Sequence, residues 1–168
     1  MSDHSVAHGT FVIDREFAHP VSRVFGAWAD PKKKAKWFGD PENPATVFEF
    51  RPGGFFHYSM DAAAAPTMWG RFNFLEIAAP DRIVWLNSFA NRDCGMARAP
   101  FSDKCPLEIL NIVTFSETAE GTTQSLRAEP FGATEEEKQF FEDLCSSGSL
   151  AQGFGGTFDQ LSDHLNGA

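Results

Sequence analysis

Apolar and polar positions divide this chain into short alternating segments and a few stretches of helical period. Residues 10–18 (TFVIDREFA) mix β-branched and aromatic side chains and predict a first strand, stopped by His19-Pro20. Val21, Val24, Phe25 and Trp28 then fall at i, i+3, i+4 and i+7, one face of a short helix. Asp30-Pro31 suits an N-cap followed by the first helical position, which predicts a second short helix over about 31–37. Extended segments follow at about 45–51, 54–60, 67–78, 82–90, 107–116 and 122–129, and 91–106 has no period and reads as a loop. Turn signals at Arg51-Pro52-Gly53-Gly54, Ala79-Pro80-Asp81 and Glu120-Gly121 join strands tightly, which implies antiparallel pairing. Beyond Thr134, an N-cap before three glutamates, the stripe Phe140, Phe141, Leu144, Phe154, Phe158, Leu161 and Leu165 predicts one long C-terminal helix. Ser146-Ser147-Gly148-Ser149 should break it into two segments able to move separately as a lid. The expectation is one α+β domain over 10–166, with residues 1–9 a flexible N-terminus.

Composition narrows the function classes. Eighteen phenylalanines, four tryptophans and one tyrosine give too much apolar mass for disorder. Net charge is −9, concentrated after Ala128, where eight acids face only Lys138. Such a surface repels phosphate backbones, so nucleic acid is not an expected partner. The basic cluster Lys32, Lys33, Lys34 and Lys36 reads as a solvated helix face. No segment has the apolar length of a membrane helix or the pattern of a secretory signal, so a cytosolic protein without a membrane partner is expected. Three cysteines without CxxC spacing argue against a disulfide framework or a zinc site.

Four segments together carry a family resemblance. Phe17 through Trp28 with Pro31 to Trp37-Phe38-Gly39 resembles the opening of the START-like (SRPBCC) superfamily. This is the helix-grip fold shared with Bet v 1-type proteins. Arg51-Pro52-Gly53-Gly54-x-Phe56 is similar to its R-x-G-G hairpin. The run from Gly70-Arg71-Phe72 through Leu75-Glu76-Ile77 and Pro80 to Arg82-Ile83-Val84 is similar to its central strand pair. Thr114-Phe115, Gly121-Thr122-Thr123 and Gln152-Gly153-Phe154 through Leu161 are similar to its ending. The nearer likeness is to the branch of homologues of the heat-shock-chaperone ATPase activator, with Phe154 where that branch usually has Trp. The resemblance implies an antiparallel sheet of six to seven strands wrapped around a long C-terminal helix, with two short helices after strand 1. It also implies a cavity between sheet and helix, but no reaction.

Catalytic signatures are absent. There is no nucleophile elbow, phosphate-binding loop, HExxH or GxGxxG, and His4, His8, His19, His57 and His164 are scattered. No catalytic residue, metal or cofactor is therefore assigned. Alternation opposes His57 to Phe56 and Tyr58; the resemblance makes the Phe56 face the core face, which points His57 outward. Glu49 and Glu76 read as surface carboxylates paired with Arg51 or Arg71, and Cys145 as an inert thiol. Strand 67–78 is apolar on both faces, so its phase stays open; extra cover by the short helices or by a second copy of the chain would explain it, and a homodimer is expected.

Asn87 shares an alternation face with Ile83, Trp85 and Phe89, and Asn111 with Ile109, Val113 and Phe115. The resemblance turns both faces toward the long helix. Buried amides need partners. Either they bond each other, Tyr58 or water, or they orient a ligand. The second reading gives a ligand site of Phe56, Tyr58, Trp85, Asn87, Asn111 and Phe154, and a protein that binds a hydrophobic or polycyclic small molecule. The alternatives are a cyclase- or hydrolase-type enzyme using the same cavity, and a chaperone-regulating interaction module.

Overall fold

The structure is a computed structural model, and it describes residues 10–38, 47–60, 68–99 and 102–167. Strand β1 (Phe11–Phe17) is followed by helices α1 (Val21–Ala29) and α2 (Pro31–Lys34). Strands β2 (Val47–Phe48), β3 (Phe55–Met60), β4 (Met68–Ala78) and β5 (Arg82–Ala90) follow. Then come β6 (Met96–Ala97), β7 (Glu108–Thr118), β8 (Gly121–Phe131), α3 (Glu135–Ser147) and α4 (Ser149–Leu165). The sheet is antiparallel throughout, in the order β1-β8-β7-β5-β4-β3-β2, with β6 added beside β5. This is an α+β helix-grip arrangement. The expected loop 91–106 holds one short strand, β6, that alternation over two residues could not reveal.

Local chemistry sets the helix ends. Asp30 Oδ1 accepts from the backbone N–H groups of Lys32 at 2.8 Å and Lys33 at 3.4 Å, and Pro31 needs no donor partner at the first helical position. Thr134 and Glu137 form a reciprocal capping box at the start of α3, and Glu137 also pairs with Arg98. The predicted break falls at Gly148, whose φ of +83° ends α3 in the left-handed region that glycine adopts without strain. Between β7 and β8, a side chain on Gly121 would place its Cβ 2.1 Å from the Phe17 carbonyl oxygen, so only glycine fits there.

The phase of β4 is resolved by a bulge. Its register against β5 shifts between Phe74 and Glu76, so Leu75 is the extra residue. Phe72 and Phe74 face the core, and beyond the bulge Ile77 pairs with Ile83 on that same face. Leu75 is left 43% exposed. On the other face Trp69 stacks on His57, with ring centroids 4.8 Å apart. The bulge and the Trp69–His57 stack thus cover most of both apolar faces of β4 within the chain, with Leu75 left as the exposed apolar residue.

Three expectations about exposure need correction. His57 lies on the face away from Phe56 but is 0% exposed, because Trp69 and the Asn91 carbonyl cover it. Lys34 does not join a solvated face: it is 1% exposed, turned inward beneath α1. Glu76 pairs with Arg82 at 3.2 Å rather than with Arg51 or Arg71, whereas Glu49 does pair with Arg51 at 3.2 Å.

Candidate functional site

A cavity of about 400 Å³ lies between the inner face of the sheet and α4. Tyr58 on β3, Phe72 on β4, Trp85 and Asn87 on β5, Asn111 on β7 and Leu126 on β8 form its floor. Trp28 on α1, with Trp37 and Phe38 just beyond α2, closes one end. Helix α4 supplies Ser149, Leu150, Gly153, Phe154, Thr157, Phe158 and Gln160, successive pairs along one helical face. Ser149, Gly153 and Gln160 are exposed, so the cavity opens to solvent along α4. Helix α3 contributes no lining residue, so only the second segment of the broken helix covers the cavity.

Five of the six residues expected at a ligand site line this space: Tyr58, Trp85, Asn87, Asn111 and Phe154. Phe56 is not among them. It is buried behind the wall, stacked on Tyr58 at 4.8 Å and edge-on to Phe72 at 5.1 Å. Phe154 stacks on Phe11 at 5.5 Å, which fixes one turn of α4 against β1.

The polar groups have determined orientations. Asn87 Nδ2 donates to the Arg71 carbonyl at 3.0 Å and to the Tyr58 hydroxyl at 3.3 Å. A carbonyl oxygen only accepts, so the nitrogen side of this amide is fixed and Oδ1 points the other way. Asn111, 2% exposed, is fixed likewise by its Nδ2 bond to the Ile109 carbonyl at 3.2 Å. Ile109 stands opposite Pro130 on β8, a residue with no N–H to offer. Two amide oxygens and the Tyr58 hydroxyl proton are left without partners among the described residues. Burial pushes the Tyr58 phenol from 10.0 up to about 12, against the opposing effect of the Asn87 bond, so it is a donor at neutral pH.

Two deeper groups add to this picture. Trp28 Nε1 donates to Gln124 Oε1 at 2.9 Å, while Gln124 Nε2 and Trp85 Nε1 are buried without a partner. Lys34 was missed by sequence reasoning. Its Nζ lies over five rings, 4.4 Å from the centroid of Trp28, 4.9 Å from Phe72, 5.0 Å from Phe38, 5.1 Å from Phe56 and 5.3 Å from Trp37. Burial drives its amine well below the usual 10.5. A four-residue helix offers no period from which this inward turn could be read.

Other reactive side chains have ordinary roles. A side cavity of about 90 Å³ shares Tyr58 and Asn87 and is bounded by Cys105, whose thiol is raised by burial. Burial raises the Cys145 thiol too, aided by Glu142, which agrees with an inert role. His19 bonds Asn166 at 2.8 Å; burial first, then Arg23, Lys33 and Lys36, lower His164; His4 and His8 lie outside the described residues. Among the described residues no group of His, Cys, Asp and Glu is arranged to hold a metal, and no helix is long and apolar enough to cross a membrane.

A sheet gripping a helix over an aromatic cavity defines the START-like class of α+β proteins. Within it, residues 18–166 match the family described as Activator of Hsp90 ATPase homolog 1-like protein, and the chain belongs to that family. Among solved structures, it is similar to protein Ms6760 from Mycobacterium smegmatis, with 28% identity and a TM-score of 0.75 over 99% of this chain and 96% of that one. A protein from Arthrobacter aurescens, solved by NMR, is 26% identical with a TM-score of 0.75, covering 99% of this chain and 91% of that one. Protein NE0264 from Nitrosomonas europaea shares the fold at 22% identity, with a TM-score of 0.71 over 96% of each chain. No curated protein matches the chain.

Proposed function

We propose that residues 10–166 form one ligand-binding domain that takes up a flat, mainly apolar small molecule in the cavity under α4. The observation that carries this reading is the cavity wall itself: about 400 Å³ of space with three oriented polar groups on a largely aromatic sheet face, and Ser149, Thr157 and Gln160 on the α4 side. Rings of Trp28, Phe72 and Trp85 supply area for a flat body. The wall offers two acceptors, the Asn87 and Asn111 amide oxygens, and two donors, the Tyr58 hydroxyl and the unpartnered indole N–H of the lining residue Trp85. The polar end of the ligand is then a hydroxyl, which both donates and accepts, in preference to a carboxylate, which only accepts.

Displacement of a fluorescent apolar probe tests this directly. 2-Naphthol should compete more tightly than 2-methylnaphthalene by about 1 kcal/mol, and 2-naphthoate should compete least. If all three compete equally, in wild type and in Asn87→Leu and Asn111→Leu alike, the polar groups orient nothing and the reading is wrong.

A further inference from the structure

We propose that Lys34 captures a flat aldehyde or ketone from the cavity as a reversible imine. This rests on the reading of the cavity as a ligand site and adds a reaction to it.

The chain has six lysines, and five of them, Lys32, Lys33, Lys36, Lys104 and Lys138, are exposed. Lys34 alone is buried, with no carboxylate in ion-pairing distance and no hydrogen-bond acceptor among the described residues. Five rings of the described residues surround it. A lysine buried for structural reasons needs a counter-ion, because an unpaired buried charge is costly, and an apolar side chain would fill the same space without that cost. An amine in such a setting favours its neutral form, whose nitrogen lone pair is free to attack a carbonyl carbon. A hydrated ammonium group has no such lone pair.

Position supplies the second argument. Four of the five rings around Nζ, those of Trp28, Trp37, Phe38 and Phe72, belong to residues that also line the cavity. The amine thus stands one ring's thickness behind the cavity wall. Phe38 is the half-buried member of the four, at the end of the turn that follows α2, and capture requires its ring to turn aside so that the carbonyl reaches Nζ. In the reaction, Nζ adds to the carbonyl carbon and the carbonyl oxygen takes up a proton from the nitrogen, giving a carbinolamine. Loss of the nitrogen's remaining proton with the hydroxyl group as water leaves the C=N bond. One amine and one carbonyl become one imine and one water, and no oxidant or reductant takes part.

The experiment treats the full chain with 2-naphthaldehyde and sodium cyanoborohydride at neutral pH, which reduces any imine to a stable naphthylmethyl amine. Peptide mass mapping should find the label at Lys34, formed about tenfold or more faster than at any exposed lysine. Excess 2-methylnaphthalene, the same shape without a carbonyl, should slow labelling at Lys34 and leave the exposed lysines unaffected. Lys34→Met should lose the fast label, and the wild-type map decides the matter even if that variant does not fold. Label spread evenly over the lysines, or label at Lys34 that 2-methylnaphthalene leaves untouched, overturns the proposal. If 2-methylnaphthalene displaces the fluorescent probe while Lys34 stays unlabelled, the amine chemistry falls and the cavity reading stands. If it neither displaces the probe nor protects Lys34, the cavity reading falls as well, and this proposal with it.

Discussion

The two faces of the sheet bury polar groups against aromatic rings in opposite ways. On the outer face, His57 is fully enclosed: its ring lies on Trp69 at an interplanar angle of 12°, and Nε2 donates to the Asn91 carbonyl at 2.9 Å. On the inner face, Tyr58, Asn87 and Asn111 bond enough to be held in place, yet keep two oxygens and a proton unused beside open volume. Burial of a polar side chain is therefore no mark of a site. What distinguishes a site is unsatisfied bonding capacity next to space that a second molecule can fill.

Substitutions can break this contrast, and the outer face should give the largest response. His57→Ala removes both a stacked ring and a hydrogen bond from a sealed place, and should cost about 2–4 kcal/mol of stability in urea unfolding while 2-naphthol binding is unchanged. A comparable loss of binding would mean that the two faces are not independent.

Alkaline unfolding probes the inner face. The unfolded chain gives up the Tyr58 proton near 10.0, whereas the folded chain keeps it to about 12. Over that interval the unfolded state binds fewer protons, so stability falls as pH rises, by up to about 2–3 kcal/mol. In Tyr58→Phe the decline should shrink, leaving the part that the raised Cys94, Cys105 and Cys145 thiols contribute; an unchanged decline would mean that Tyr58 plays no part in it.

Asn111→Leu sharpens the contrast at a single amide. It should weaken 2-naphthol binding by about 1–3 kcal/mol while costing at most about 1 kcal/mol of stability through the lost bond to the Ile109 carbonyl. The reverse pattern, a lower melting temperature with unaltered binding, would place Asn111 in the same structural class as His57. Gly153→Leu should have the smallest effect on stability and with the opposite sign. No atom lies within 4 Å of a Cβ added there, so replacing a helix-interior glycine should gain about 0.5–1 kcal/mol. The added side chain narrows the cavity mouth, and slower probe uptake measured by stopped-flow fluorescence would confirm that ligand enters along α4.

Much of this architecture can be read from residue order, and the exceptions have physical reasons. Strand-forming segments, the Asp30 and Thr134 caps and the break near Gly148 depend on neighbours close in sequence, so local patterns reveal them. The inward turn of Asn87 and Asn111 follows from alternation once the strand face is known. Leu75 defeats alternation because one bulged residue reverses the parity of every position after it. His57 defeats it differently: period two gives the face, but the cover comes from Asn91, 34 residues away. Lys34 is the hardest case, since its cage gathers α1, β3, β4 and the turn after α2 around a residue whose charge and neighbours both predict exposure.

That cage also leaves a mark on the solution around the protein. An unfolded chain holds a proton on Lys34 up to about pH 10.4, whereas burial makes the folded chain surrender it well below 10.5. Between those two values each molecule that folds releases one hydrogen ion, and stability rises with pH because the unfolded state binds more protons there. Refolding in a weakly buffered solution with an indicator dye should therefore acidify the medium in step with the recovery of tryptophan fluorescence. Lys34→Met should refold without that acid pulse.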